Sequence, residues 1–331
     1  MKKLFKVLGI VLAVVVVAVV GIVGYIFLFL PNVGDAPDLK VELTPERVQR
    51  GEYLANHVMV CMDCHSRRDF TAFSGPLRPE TFGAGGEKFD HNEGFPGTFY
   101  SRNITPAALK DWTDGEIYRA VTTGVSRDGH AFFPVMPYQY YAKADPEDIK
   151  DIIAYLRTLQ PIDNEVPASK PDFPFNVILR TIPQKAEPSQ RPAVTDRVAY
   201  GKYLANVAAC YECHTNNDDK GQKIPGMDWA GGWEMSLGDG RIIRTSNLTP
   251  DPETGLGAWT EEAFVARFKA YADSSYRPHA VSNTEFQTIM PWMMYAGMKE
   301  EDLKAIFAYL RTVPPIKNKV EKFSIEPVAA K

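Results

Sequence analysis

The sequence contains two copies of one unit, and this duplication constrains the fold more than any other feature. The segment from Val135 to Ile162 aligns without a gap with the segment from Ile289 to Ile316. Earlier in each copy, "RGEYLAN" recurs as "YGKYLAN". A fixed internal repeat indicates that one structural unit is used twice. We therefore predict two tandem domains, over residues 44–162 and 195–316.

All cysteines of the chain lie in a repeated pentapeptide, "CMDCH" in the first copy and "CYECH" in the second. C-x-x-C followed by His is typical of c-type haem attachment, in which the two thiols bind the vinyl groups and the histidine binds iron. Two intervening residues place both sulfurs on one side of a helical turn. The sequence predicts two covalently bound haem c groups. The residues that would hold them are Cys61, Cys64, His65, Cys210, Cys213 and His214.

Two other interpretations of the cysteines need weighing. The two C-x-x-C pairs could share one structural zinc ion, but zinc gives no reason for a histidine to follow the second cysteine in both copies. Disulfides would suit an oxidising compartment. Four cysteines in a chain of 331 residues do not make the stapled core that such a framework serves. The pattern favours haem over both.

A methionine stands at the same position of each repeat and is a candidate for the sixth iron ligand. Met136 and Met290 are each followed by proline, which restricts the methionine backbone towards an extended conformation. Equivalence between repeats favours ligation over core filling, the usual role of methionine. Met293 and Met294 are weaker candidates in the second copy, and His130 is a rival ligand in the first.

The N-terminus predicts a membrane anchor. Three lysines within residues 1–6 precede an uncharged apolar stretch over residues 7–30, which at about 1.5 Å per residue covers a hydrocarbon core of roughly 30 Å. A cleaved secretory signal is the alternative, although its apolar region is usually shorter. The lysines place residues 1–6 in the cytoplasm. The haem domains would then lie in the periplasm, tethered to the inner (cytoplasmic) membrane by a single pass.

The remaining segments connect these units. Residues 31–43 form a spacer, residues 163–194 a proline-rich linker, and residues 317–331 a C-terminal tail. In the first repeat, Thr44 is placed to cap a helix that starts at Pro45. A formal net charge of -4 gives no electrostatic footprint for nucleic acid.

These motifs resemble the class I cytochrome c family. The likeness is carried by the two C-x-x-C-H sites, "NITP" and "NLTP", "MPY" and "MPW", and two "AYLRT" helices. It is similar in particular to the cytochrome c subunits of membrane-bound bacterial alcohol, aldehyde and gluconate dehydrogenases, which typically carry three haem motifs rather than two. The resemblance implies an all-α fold, with two small, loop-rich helical domains, each around one covalent haem, after a single transmembrane helix.

The resemblance also implies a haem environment. A backbone carbonyl near Pro76, and another near Pro225, would accept the Nδ1–H of the haem histidine. Trp112 and Trp259 look like the tryptophan that bonds a haem propionate. The resemblance further suggests that two asparagines line the haem edge, with capping of a turn as the alternative, and that two glycines mark helix crossings. These residues are Asn103, Asn247, Gly51 and Gly201.

The function expected from ligands on both sides of iron is electron transfer rather than catalysis. We expect a membrane-anchored dihaem carrier between a dehydrogenase or quinol-oxidising complex and an oxidase or soluble cytochrome. A dihaem peroxidase-like enzyme is the alternative; it needs one displaceable axial ligand and an acid-base residue, for which His130 or Glu285 could serve. A redox or ligand sensor would need a labile methionine.

Overall fold

The computed structural model describes residues 2–218, 221–273 and 275–326. Its first element is helix α1 (Lys2–Phe29), which is long and apolar enough to cross a membrane and has no buried residue. Arg180 contacts the C-terminal end of this helix: its guanidinium donates to Leu30 O at 3.2 Å and lies 4.8 Å from the Phe27 ring centroid. The helix is thus attached to the rest of the chain through the segment around residue 180.

The first repeat opens as its capping residues predict. Thr44 Oγ1 accepts a hydrogen bond from Arg47 N at 3.3 Å, and Pro45 occupies the first turn. The chain then makes a π-helical turn at Leu54–Val58. The helices of this repeat are α2 (Pro45–Tyr53), α3 (Cys61–Cys64), α4 (Pro106–Leu109), α5 (Asp114–Thr123), α6 (Tyr138–Tyr141) and α7 (Pro146–Thr158).

The second repeat reproduces this arrangement after a short helix in the connecting segment. Asp196 caps its first helix by accepting from Ala199 N at 3.1 Å. The remaining helices are α8 (Phe175–Ile178) in the connection, then α9 (Arg197–Val207), α10 (Cys210–His214), α11 (Glu261–Lys269), α12 (Trp292–Tyr295) and α13 (Glu300–Leu310).

The fold is largely helical, as predicted, but it is not all-α, because two small antiparallel sheets accompany the helices. Each sheet has three strands, with the middle one paired on both sides. In the first sheet Lys88 pairs with Tyr100 and Gly97 with Pro171. The strands are β1 (Lys88–Phe89), β2 (Gly97–Tyr100), β3 (Lys170–Pro171), β4 (Glu234–Ser236), β5 (Arg241–Arg244) and β6 (Phe323–Ile325).

The third strand of each sheet comes from outside the repeat. Strand β3 lies in the segment predicted as a linker, and β6 lies in the segment predicted as a tail. Arg241 pairs with Ile325 in the second sheet, as Gly97 pairs with Pro171 in the first. Because backbone hydrogen bonds fix these segments, they are structural parts of the fold rather than spacers.

Each repeat is closed by a crossing of its first and last helices. A Cβ on Gly51 of α2 would lie 1.8 Å from Asp151 O of α7, and a Cβ on Gly201 of α9 would lie 1.8 Å from Ala305 O of α13. Only glycine allows the backbones to approach this closely. The Cβ on Gly51 would also lie 2.9 Å from Tyr155 Cβ, and the one on Gly201 would lie 2.9 Å from Ile306 N.

The two repeats contact each other through equivalent residues. Tyr53 Oη donates to Asp302 Oδ2 at 2.5 Å, while Tyr203 Oη donates to Asp148 Oδ2 at 2.6 Å. Tyr53 and Tyr203 share one position of the repeat, and Asp148 and Asp302 share another. The repeats therefore face each other with approximate two-fold symmetry, and each tyrosine reaches the last helix of the other repeat.

Candidate haem-binding cavity

A cavity of about 2180 Å³ is lined by residues of both repeats. Its wall is mostly apolar and includes phenylalanine, leucine and isoleucine side chains from α5, α7, α11 and α13. The predicted covalent and axial ligands all contribute to this wall: Cys61, Cys64, His65, Met136, Cys210, Cys213, His214 and Met290. The fold brings together residues that the sequence predicted as ligands from four separate stretches of chain.

Each C-x-x-C pair is presented on a single helical turn. Helices α3 and α10 carry the cysteines, and a non-glycine residue in the left-handed conformation precedes each of them: Val60 with φ 43° and Ala209 with φ 52°. This conformation is unfavourable for valine. It turns the chain abruptly from the preceding helix into the cysteine turn, in the same way in both repeats.

The tyrosines that follow the methionine loops hold these turns, and sequence reasoning did not identify them. Tyr141 Oη donates to Met59 O at 2.9 Å, and Tyr295 Oη donates to Ala208 O at 3.0 Å. Both side chains are buried. Their equivalence in the aligned repeats is the signal that could have identified them. Each tyrosine links the cysteine turn to the helix that follows the methionine.

No disulfide joins the cysteines. Burial raises the pKa of all four thiols to about 12. Within the described ranges, no group of three or more His, Cys, Asp or Glu residues could hold a metal ion. Both the disulfide and the zinc interpretations therefore lack support in the structure.

The two histidines are oriented by backbone carbonyls. His65 Nδ1 lies 2.6 Å from Arg102 O, and His214 Nδ1 lies 2.8 Å from Ser246 O. Because a carbonyl only accepts, Nδ1 carries the proton and Nε2 keeps the lone pair that an iron ligand needs. Burial lowers the pKa of both imidazoles, with the carbonyl contact opposing it. The neutral, ligating form is therefore favoured.

These contacts correct the prediction about the prolines. The carbonyls belong to Arg102 and Ser246, which precede the "NITP" and "NLTP" motifs, and not to residues beside Pro76 or Pro225. Pro76 O instead accepts from Asp69 N at 2.9 Å. A backbone carbonyl has no side-chain signature, so the sequence did not point to Arg102 or Ser246.

The two methionines lie in equivalent turns. Tyr138 N donates to Met136 O at 2.8 Å, and Trp292 N donates to Met290 O at 2.8 Å. Both methionines are partly buried and pack against the hydrophobic core. Of the weaker candidates, Met294 uses its backbone O to contact His57 Nδ1 at 2.8 Å.

The two asparagines cap turns. Asn103 Oδ1 accepts from Thr105 N at 2.9 Å and from Thr105 Oγ1 at 2.8 Å, while its Nδ2 donates to Ile162 O at 2.8 Å. Asn247 makes the same contacts with Thr249 and Ile316. Both residues also contribute to the cavity wall. The amides are thus engaged by the protein, which supports the capping role.

The two tryptophans predicted to bond haem propionates and the rival ligand His130 all border the cavity. Trp112 and Trp259 line the cavity, and Trp259 is 39% exposed. His130 also borders the cavity, but its side chain is exposed and its Nδ1 lies 2.6 Å from Asp128 Oδ1. An exposed imidazole that is engaged by a neighbouring carboxylate is a poor rival to a partly buried methionine.

The residues present fit a covalent haem. An apolar cavity with two cysteines on one turn, a histidine with a free Nε2 and a thioether is the donor set of a low-spin c-type site. In the first repeat, Cys61 and Cys64 would attach the macrocycle, and His65 and Met136 would supply the axial ligands. The equivalent residues would do so in the second repeat.

Comparison with known proteins indicates the same class of cofactor. Residues 198–314 match the Cytochrome c family. This part of the chain contains the second C-x-x-C-H site and the second methionine loop. The match identifies a cytochrome c domain here and implies a covalent haem c.

Most of the chain resembles cytochrome c subunits of dehydrogenases, as its sequence motifs predict. It is 28% identical to the fructose dehydrogenase cytochrome subunit of Gluconobacter japonicus, covering 81% of this chain and 52% of the relative. It is 26% identical to the alcohol dehydrogenase (quinone) cytochrome c subunit of Gluconacetobacter polyoxogenes, covering 86% and 59%. The chain thus spans little more than half the length of these relatives.

A relative of similar length is the diheme cytochrome c-type protein of Cereibacter sphaeroides, which is 29% identical over 85% of this chain and 90% of its own length. These relatives are cytochromes or the cytochrome subunits of dehydrogenases, not the catalytic subunits. The comparison supports the prediction that the chain is not itself an enzyme.

Proposed function

We propose that this protein is a membrane-anchored dihaem cytochrome c that carries electrons on the periplasmic side of the inner membrane. Its electrons would come from a dehydrogenase or a quinol-oxidising complex and would pass to an oxidase or a soluble carrier. The observation that carries this proposal is the single cavity lined by both C-x-x-C-H sites and both Met-Pro loops.

The proposed ligand sets are His65 with Met136 and His214 with Met290. A haem held by imidazole and thioether supplies a one-electron ferric/ferrous couple, and a methionine ligand raises its potential. The residues of this chain would hold the ligands in place: Arg102 O and Ser246 O fix the imidazoles, and the Met-Pro turns present the sulfurs. With a histidine and a methionine holding each iron, no metal position would be left for a substrate.

The same ligand sets disfavour the peroxidase-like alternative. That chemistry needs a displaceable ligand with an acid-base residue over the vacated position. His130 is exposed and engaged by Asp128. Glu285 uses its carboxylate to accept from Ser282 N at 2.8 Å. Neither residue is placed as a buried catalytic base.

The proposed partners follow from the comparisons and the N-terminal helix. The relatives named as subunits of fructose and alcohol dehydrogenases suggest a dehydrogenase as electron donor. Helix α1 would keep the carrier close to other membrane proteins and so raise their local concentration. A single-pass anchor with cytoplasmic lysines would place the haem sites in the periplasm.

The test is the optical spectrum and mass of the purified, oxidised protein. We expect a mass increase equal to two haems and a weak red band from methionine sulfur to ferric iron charge transfer, with intensity for two sites. Replacing Met136 or Met290 by histidine should each remove half of this band, with the covalent haem retained. A high-spin spectrum in the unaltered protein, or a band insensitive to both replacements, would contradict the proposed ligands.

A further inference from the structure

The loop that follows the first C-x-x-C-H site contacts the methionine loop of the other repeat. Ser74 N donates to Gln287 Oε1 at 2.8 Å, and Ser74 Oγ donates to Met290 O at 2.6 Å. Ser74 Oγ also accepts from Trp292 N at 3.2 Å. One serine of the first repeat thus holds the backbone on both sides of Pro291.

Gln287 reaches in the opposite direction, from the second repeat into the first. Its side chain is fully buried. Its Nε2 donates to Phe70 O at 3.0 Å and to Ala72 O at 2.9 Å, while its Oε1 accepts from Ser74 N and from Thr288 N. A buried amide with every polar atom engaged fixes the position of the chain that carries it.

Arg68 supports the same contact. Its side chain is 7% exposed, and both of its terminal nitrogens donate to Ile289 O, each at 3.3 Å. It also donates to Ser74 O at 2.7 Å and forms an ion pair with Asp63 at 2.9 Å. Arg68 therefore ties the residue before Met290 to the turn that carries Cys64.

The geometry of Ser74 indicates that the contact is specific. Ser74 is buried and has a φ of 63°, a left-handed conformation that serine rarely adopts. Such a residue persists where the surrounding contacts determine it. Here the surrounding contacts are the hydrogen bonds to Gln287, Met290 and Trp292.

The methionine loop of the first repeat is held differently. The backbone hydrogen bonds described for Met136 and its neighbours stay within the repeat, to Phe133 O and from Tyr138 N. The position equivalent to Gln287 is Phe133, whose ring stacks on that of Phe99 with the ring centroids 4.1 Å apart. An aromatic ring offers no hydrogen bonds like those of the amide. The two otherwise equivalent loops therefore differ in their support.

We propose that Arg68, Ser74 and Gln287 form a clamp through which the first repeat positions Met290 as the axial ligand of the second repeat. The three residues are positioning residues, which act through the backbone around Met290. The backbone on both sides of Pro291 is hydrogen-bonded by Ser74 of the first repeat, whereas the backbone hydrogen bonds of Met136 stay within its own repeat. Loss of the clamp therefore weakens the second thioether–iron bond more than the first. The inference rests on the proposed function, in which Met290 binds iron.

The test isolates each methionine in turn. In a Met136→His background the charge-transfer band reports Met290 alone, and in a Met290→His background it reports Met136 alone. Gln287→Met, which keeps the side-chain length and removes its hydrogen bonds, is added to both. The full-length oxidised protein is titrated with imidazole, which displaces the thioether from iron, and the potential of each haem is measured.

We expect Gln287→Met to lower by about tenfold the imidazole concentration that displaces Met290, which corresponds to about 1.4 kcal/mol, and to leave the displacement of Met136 unchanged. The potential should fall only where Met290 is lost. Equal sensitivity of both methionines, or of neither, overturns the clamp. If Gln287→Met does not fold, Ser74→Ala removes only the hydroxyl and is judged by the same readouts. Absence of a band in Met136→His alone would instead contradict Met290 as a ligand.

Discussion

At the scale of single residues, the two repeats use the same side chains for contacts of different strength. Asp148 accepts from Tyr203 and also pairs with Arg50 at 3.2 Å and with Arg191. Asp302 is 4% exposed. Among the described residues, its carboxylate accepts a side-chain hydrogen bond from the Tyr53 hydroxyl. Sequence equivalence therefore does not mean energetic equivalence.

This difference predicts unequal effects of a matched pair of variants. Tyr53→Phe leaves a buried carboxylate without its hydroxyl donor and should lower the free energy of unfolding by about 1.5–3 kcal/mol. Tyr203→Phe leaves Asp148 its two arginines and should cost about 0.5–1.5 kcal/mol. Tyr53→Phe also removes the acceptor of the Lys299 N–H, and Tyr203→Phe removes that of the Asp145 N–H. This cost is common to both variants and does not affect the comparison.

Denaturant unfolding of the haem-loaded variants measures the comparison. Tyr203→Phe is the matched control, since it removes the same hydroxyl from the equivalent position. If Tyr203→Phe lowers the free energy of unfolding more than Tyr53→Phe does, Arg50 and Arg191 do not compensate for the lost hydroxyl. The proposed difference between the two contacts would then be wrong.

At the scale of elements, the helix crossings are the points where the fold tolerates least change. A methyl group at Gly201 would overlap Ala305 O, and one at Gly51 would overlap Asp151 O. These contacts are with backbone atoms, which cannot rotate away. We predict that Gly51→Ala and Gly201→Ala each lower the free energy of unfolding by about 1–3 kcal/mol, the usual cost of overpacking.

Gly21→Ala is the control for these variants, because a Cβ at Gly21 meets nothing within 4 Å. Alanine also favours a helix more than glycine does, so Gly21→Ala should leave stability unchanged or slightly raise it. Thermal melts followed by far-ultraviolet circular dichroism are sufficient. If Gly201→Ala does not change the melting temperature, α9 and α13 can move apart without cost. That result would contradict the prediction.

The elements that the sequence predicted are those whose cause is local. Thr44 and Pro45 start α2 as their types require, and the C-x-x-C-H spacing places Cys61 and Cys64 on one turn. The small sheets were missed because β3 pairs with β2 across a long stretch of chain and has only two residues. The acceptors for the histidines were missed because they are backbone atoms, and the contact of Ser74 with Met290 joins residues 216 positions apart.

At the scale of the whole molecule, two levels of attachment organise the protein. The crossed tyrosines and the clamp join the two repeats around one cavity. Arg180 then joins this body to the end of α1 through Leu30 and Phe27. If α1 spans a membrane, these contacts place the segment around Arg180 beside the end of the helix that leaves it.

This arrangement predicts how the protein distributes between membrane and solution. Helix α1 has no buried residue, and an apolar helix of 28 residues is long enough to span a bilayer. We expect the full-length chain to sediment with inner membranes and to resist an alkaline wash. A variant in which a cleavable secretory signal replaces residues 2–30 should be released as a soluble protein with its haem content unchanged, because the cavity includes no residue of α1. N-terminal sequencing of the purified protein distinguishes the two interpretations of this helix. A membrane-bound chain that starts at Met1 retains its anchor. A chain that starts near Pro31 and is found in the soluble fraction has lost a secretory signal, which would contradict the tether.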